Sequence, residues 1–96
     1  MKNKEYNQNL FKAILSLETI DECQRFFDDL CTITEIQAMS QRIEVAQMLN
    51  NTSVYSEVIA KTGASSATVS RVARCLNYGA DGYKLVLKRL EGKRNE

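Results

Sequence analysis

The chain has 96 residues with 13 basic and 12 acidic side chains, 44% hydrophobic and 26% charged residues, and no His, Pro or Trp. That composition describes one small soluble globular domain, residues 1–96, and the missing histidines exclude Ser-His and Cys-His nucleophile pairs, imidazole metal sites and a pH switch near neutrality. A domain this short buries only about two-thirds of the surface of its unfolded chain, so its core is thin unless a second chain, a metal or disulfides add to it.

Apolar spacing is helical throughout. Leu10, Phe11, Ile14, Leu15 and Leu17 predict a first helix from about Glu5 to Ser16. Thr19-Ile20-Asp21-Glu22 has the form of a capping box, in which a Thr hydroxyl and a Glu carboxylate each satisfy an orphan amide, and it opens a second helix with inner face Ile20, Cys23, Phe26, Phe27 and Leu30. Thr34-Glu35-Ile36-Gln37 repeats the pattern and predicts the start of a third, with Ile36, Met39, Ile43, Ala46 and Leu49 as its stripe. This helix should stop at the turn formers Asn50-Asn51-Thr52-Ser53. No window alternates as a strand would, so the expected class is all-α.

Cys23, Cys31 and Cys75 are odd in number and far apart, which fits neither a disulfide framework nor paired zinc ligands. On helices beside apolar residues they are expected to pack as small hydrophobes, and no metal site is expected. The opening residues are polar and no apolar run exceeds three residues, so neither a signal-peptide core nor a membrane span is expected, and the localisation implied is cytoplasmic.

Charge changes along the chain. Residues 1–53 carry five basic and eight acidic side chains, a net of −3; residues 54–96 carry eight and four, a net of +4. The two parts therefore face different partners.

The informative run is Tyr55-Ser-Glu-Val-Ile-Ala-Lys-Thr-Gly63-Ala-Ser-Ser-Ala-Thr-Val-Ser-Arg71-Val-Ala-Arg74. A short helix from about Val54 to Lys61 is stopped by Gly63, which can take the left-handed conformation, and Ser65 or Ser66 caps the next helix. This is the layout of a helix-turn-helix over residues 54–76. Val58 and Ala64 can lie under Val69 and Val72; Thr62 occupies a position where an apolar residue is expected. At about 100° per residue, Val69, Val72 and Leu76 share one face of the second helix, while Ser66, Ala67, Ser70, Arg71 and Arg74 share the other. The second face fits a major groove: small residues let the backbone approach base edges, the helix N-terminus attracts phosphate, and the arginines add charge. Arg42, in the third helix, reads either as a solvated side chain or as a phosphate contact. Tyr78-Gly79-Ala80-Asp81-Gly82-Tyr83 reads as a glycine C-cap turn into a last helix over residues 80–91, capped by Asp81 and packed by Leu85, Val86, Leu87 and Leu90.

The region from about Leu30 to Leu90 resembles the Trp repressor superfamily and, within it, the Trp-repressor-like YerC/YecD family. Thr32 to Arg42, the Gly63-to-Arg71 run and Arg-Cys-Leu-Asn-Tyr-Gly-Ala-Asp-Gly-Tyr (74–83) carry the resemblance. It implies a helical bundle forming an intertwined homodimer, with residues 5–50 as the dimerisation region and two helix-turn-helix heads for successive major grooves of double-stranded DNA. Wide apolar stripes before the motif, on a chain too small to cover them, support a dimer independently. By the resemblance Ser66, Ala67 and Ser70 face bases, with Arg71 beside them, and Gln41, Arg42, Ser65 and Lys84 meet phosphates, with Arg74. An effector pocket would fall on Thr32, Arg42, Thr68 and Arg71. Val72 puts a branched side chain where the family's tryptophan co-repressor needs room, so no tryptophan binding and no cofactor are expected.

The function these readings imply is a non-enzymatic, sequence-specific DNA-binding transcriptional regulator, a repressor acting as a homodimer. The alternative is a helical adaptor dimer whose basic half docks an acidic protein.

Overall fold

The structure, a computed structural model, describes residues 3–51 and 54–94. These form six α-helices with no strand among the described residues: α1 Asn3–Leu15, α2 Ile20–Leu30, α3 Ile33–Asn51, α4 Tyr55–Thr62, α5 Ser66–Tyr78 and α6 Gly82–Arg94. The all-α expectation holds, and α3 ends at the predicted asparagines; Thr52 and Ser53 lie outside the described residues. None of the helices is long and apolar enough to cross a membrane.

The chain divides into two compact units, Met1–Ile36 and Gln37–Glu96, with the boundary inside α3. Charge divides with it. Met1–Ile36 has four basic and seven acidic residues, Gln37–Glu96 nine and five, again −3 and +4 because Arg42 and Glu44 cancel.

In Met1–Ile36, Thr19 caps α2 as predicted: its hydroxyl accepts from the Glu22 N–H at 3.1 Å, while the Glu22 carboxylate accepts the Glu18 N–H at 2.8 Å. The cap of α3 is Thr32, two residues before the predicted Thr34. Thr32 Oγ1 accepts from the Glu35 N–H at 3.1 Å and the Glu35 carboxylate accepts from the Thr32 N–H at 2.7 Å. This box places a charged acceptor at the positive end of the helix, where the Thr34 alternative offers only neutral Gln37 and sacrifices the turn that carries Ile33.

The apolar stripes of α1 and α2 form, and this chain leaves them largely uncovered. No described side chain of Met1–Ile36 is buried; Leu15 and Ile20 are 83% and 86% exposed. Phe26 and Phe27 meet edge-on with centroids 5.8 Å apart. Cysteine placement departs from simple packing. Cys23 is exposed on α2, Cys31 is the residue that ends it, and Cys31 and Cys75 are half-buried.

In Gln37–Glu96 the core is built from Val45 and Ala46 of α3, Val58 of α4, Ala64 of the turn, Val69, Val72 and Leu76 of α5 and Leu87 of α6, flanked by Met48, Leu49, Ile59 and Tyr83. The fully buried Val45 lies off the predicted α3 stripe, of which only Ala46 is buried. A long helix with apolar residues on more than one side does not reveal which of them meets the core.

Two turns frame α5. Gly63 has φ 73°, the left-handed conformation, and its N–H reaches the Ile59 carbonyl at 3.0 Å. Gly79, expected to play the same part, keeps a negative φ of −88°. It is required there for space, because a Cβ would press into the Cys75 carbonyl. The positive φ of that turn belongs to Asp81, at 65°, whose carbonyl accepts the first bond of α6 from Leu85. The last helix thus starts at Gly82, two residues later than predicted.

Gly63→Ala should lower stability by about 1 kcal/mol, the cost of a Cβ in the left-handed region, read as a shift of the urea midpoint. Hydrogen bonds from Thr32, the backbone N–H first and the side chain second, hold the Glu35 carboxyl below its ordinary value of 4.5. A carboxyl with a lowered folded pKa adds stability that is fully present above its ordinary value and lost as pH falls through the lowered one. An NMR titration of Glu35 should therefore give a midpoint below 4.5, and Glu35→Gln should flatten the acid loss of stability.

Candidate nucleic-acid interface

The motif is assembled from short-range polar bonds above an apolar floor. Val58, Ala64, Val69 and Val72 are each no more than 2% exposed, so α4 and the turn lie closely on one side of α5. Small and β-branched side chains permit that approach. Ser65, rather than Ser66, caps α5: its oxygen accepts from the Thr68 N–H at 3.1 Å and its hydroxyl donates to Thr68 Oγ1 at 3.0 Å.

Thr62, the polar residue at an expected apolar position, is half-buried and fully used. Its hydroxyl donates to the Val58 carbonyl at 2.7 Å and accepts from the Ala64 N–H at 3.1 Å. Its own carbonyl accepts from Gln41 Nε2 of α3 at 3.3 Å.

With one side of α5 against the core, the other is exposed, and it carries Ser66, Ala67, Ser70, Arg71 and Arg74. The structure therefore brings together five of the predicted residues on one helix face. Ser65 sits at its N-terminal end, and the first turn of α5 has no acidic residue to neutralise the helix dipole. Arg42 and Gln41 are half-buried on α3, and Lys84 is exposed on α6.

Among the described residues the ion pairs are Arg25 with Asp21 at 3.6 Å and Lys61 with Glu57 at 3.2 Å, both one helical turn apart. Exposed pairs of this kind contribute little to stability. Arg42, Arg71, Arg74 and Lys84 have no carboxylate partner among these residues, nor do Lys88 and Arg89 of α6, which the sequence reading had not singled out. Among the described residues these cations of α3, α5 and α6 thus keep no carboxylate partner, while Lys61, at the end of α4, is paired.

Two residues of the possible effector pocket, Thr32 and Thr68, have local roles as partners in helix caps. Thr32 caps α3 and lies in Met1–Ile36, whereas Arg42, Thr68 and Arg71 lie in Gln37–Glu96. The Thr68 hydroxyl accepts from Ser65. Val72 is 1% exposed and belongs to the core. Among the described residues no three His, Cys, Asp or Glu side chains gather in a way that could hold a metal ion.

Comparison with known proteins places these features in context. The family model described as Trp repressor protein matches residues 5–91. The chain is 53% identical over its whole length to an uncharacterised Bacillus subtilis (strain 168) protein, YerC, and covers 91% of it. It is similar to a solved structure of a Staphylococcus aureus protein proposed to be a Trp repressor, with TM-score 0.86, 44% identity and 95% of each chain covered. It is also similar to a TrpR-like protein of Eubacterium eligens, with TM-score 0.85, 54% identity, and 94% of this chain and 92% of that one covered.

Proposed function

This chain belongs to the Trp repressor family, and from that premise we propose that it is a homodimeric, sequence-specific DNA-binding transcriptional repressor without catalytic activity. The observation that carries the reading is the exposed face of α5. It is small and hydroxylated at Ser66, Ala67 and Ser70, basic at Arg71 and Arg74, which have no carboxylate partner among the described residues, and set on a helix whose N-terminus carries no acidic residue.

In this reading Ser66, Ala67, Ser70 and Arg71 approach base edges, where short side chains allow the helix deep into the groove and arginine can take two acceptors of guanine. Arg42, Arg74 and Lys84 hold phosphates, which fix register without reading sequence. Ser65 is tied to Thr68 through its hydroxyl, so its contribution to a phosphate comes chiefly from starting the helix whose amides face the anion.

The homodimer is supported by the uncovered stripes of α1 and α2. Side chains such as Leu15 and Ile20 each gain about 1.5–3 kcal/mol when buried, and a second copy offers a surface on which to bury them. Two heads then meet half-sites about 34–36 Å apart. Val72, a branched side chain where the family's co-repressor needs room, supports the reading that L-tryptophan is not the effector.

Selection from random duplex DNA with the purified protein should enrich a nearly palindromic site. Ser70→Ala and Ala67→Lys should change the preferred sequence, whereas Arg74→Ala should weaken binding to all sites and lower the salt slope by about 1. Absence of enrichment would leave the helical adaptor as the better reading. Calorimetric titration with L-tryptophan should give no binding isotherm; micromolar affinity would overturn that assignment.

A further inference from the structure

Gln41 was placed by resemblance among the phosphate contacts, yet its amide points at the protein. We infer that Gln41 is a positioning residue that fastens the turn of the helix-turn-helix to α3, leaving phosphate recognition on that helix to its neighbour Arg42. The inference rests on the DNA-binding reading above for its consequence, though not for the bond itself.

Helix α4 has eight residues, too few to persist by its own hydrogen bonding, so where it sits depends on what holds it. Its last carbonyls lack partners within the helix. Ile59 gives its carbonyl to the Gly63 N–H, and Thr62 gives its carbonyl to Gln41 Nε2. Thr62 then carries the attachment onward, because its hydroxyl binds the Val58 carbonyl on one side and the Ala64 N–H on the other. Val58 and Ala64 are both core residues. One side chain from α3 thus meets a residue already bonded to both ends of the turn that sets the start of α5.

Energetics favour this assignment over a phosphate contact. Turning Gln41 outward would exchange one neutral hydrogen bond for another and leave the carbonyl of Thr62, a half-buried residue, without this donor, which costs stability to the extent that water does not replace it. Arg42, next in sequence and without a carboxylate partner among the described residues, offers charge-assisted bonds roughly twice as strong. The lock uses only groups of the protein, so the reading head is held in place with no small molecule bound, which reduces the ordering cost at binding.

The test compares wild type with Gln41→Met, which keeps length and loses the donor, and Gln41→Lys, which keeps a donor and adds charge. In the DNA-free protein, amide exchange at Gly63 and Ala64 should be about fivefold faster in Gln41→Met, with the Val72 amide unchanged, and close to wild type in Gln41→Lys. On the selected DNA site, Gln41→Met should bind about two- to tenfold more weakly, and Gln41→Lys should leave the salt slope as in wild type. Unchanged exchange at Gly63 and Ala64 in Gln41→Met, loss of protection in Gln41→Lys, or a salt slope steepened by about 1 in Gln41→Lys would overturn the inference. If wild type selects no site, the DNA-binding reading fails while the exchange measurements still decide whether Gln41 holds the turn.

Discussion

The arrangement of Gln37–Glu96 depends on how closely α4 and its turn approach α5. Val58, Ala64, Val69 and Val72 are all buried, and none is larger than valine. Bulkier residues there would hold the helices apart or rotate α5 about its axis, because interiors are close-packed and absorb little extra volume. Once these four are buried, the opposite face has no choice but solvent. The exposure of Ser66, Ala67, Ser70, Arg71 and Arg74 is thus a consequence of core packing.

Polar groups then settle what apolar packing leaves loose. Gly63 permits the sharp left-handed step, Ser65 starts α5, and the Thr62 hydroxyl ties one side of the step to the other. Each bond is modest by itself, about 1 kcal/mol net, but each fixes a group whose displacement would move the whole exposed face of α5. Electrostatics follows the same economy of partners. Lys61 is paired, whereas Arg42, Arg71, Arg74 and Lys84 find no carboxylate among the described residues, and that imbalance is the electrostatic support for the proposed polyanionic partner.

Met1–Ile36 obeys a different constraint. Its helices are specified locally by the capping boxes at Thr19 and Thr32, and their apolar stripes are well formed, yet no described side chain there is buried. Local helix signals are satisfied within the chain, while the hydrophobic demand they create is left open. That contrast between complete caps and an uncovered stripe is the physical basis for proposing a second copy.

Much of this was legible in the sequence, where the signals are local. Helix number, the glycine step, the Thr19 cap and the two faces of α5 depend on residues a few positions apart, and so did the resemblance carried by the Gly63-to-Arg71 run and by residues 74–83. Near misses arose where two local options competed, as with Thr32 and Thr34 for the start of α3, decided by which box offers a charged acceptor. Only the tertiary structure could decide matters that join distant residues. Val45 as a core residue, Gly79 held by the Cys75 carbonyl, and above all Gln41 bonded to Thr62 across 21 positions have no signature in spacing. An amide side chain reads the same in a sequence whether it will meet a phosphate or a carbonyl; its neighbour in space determines which.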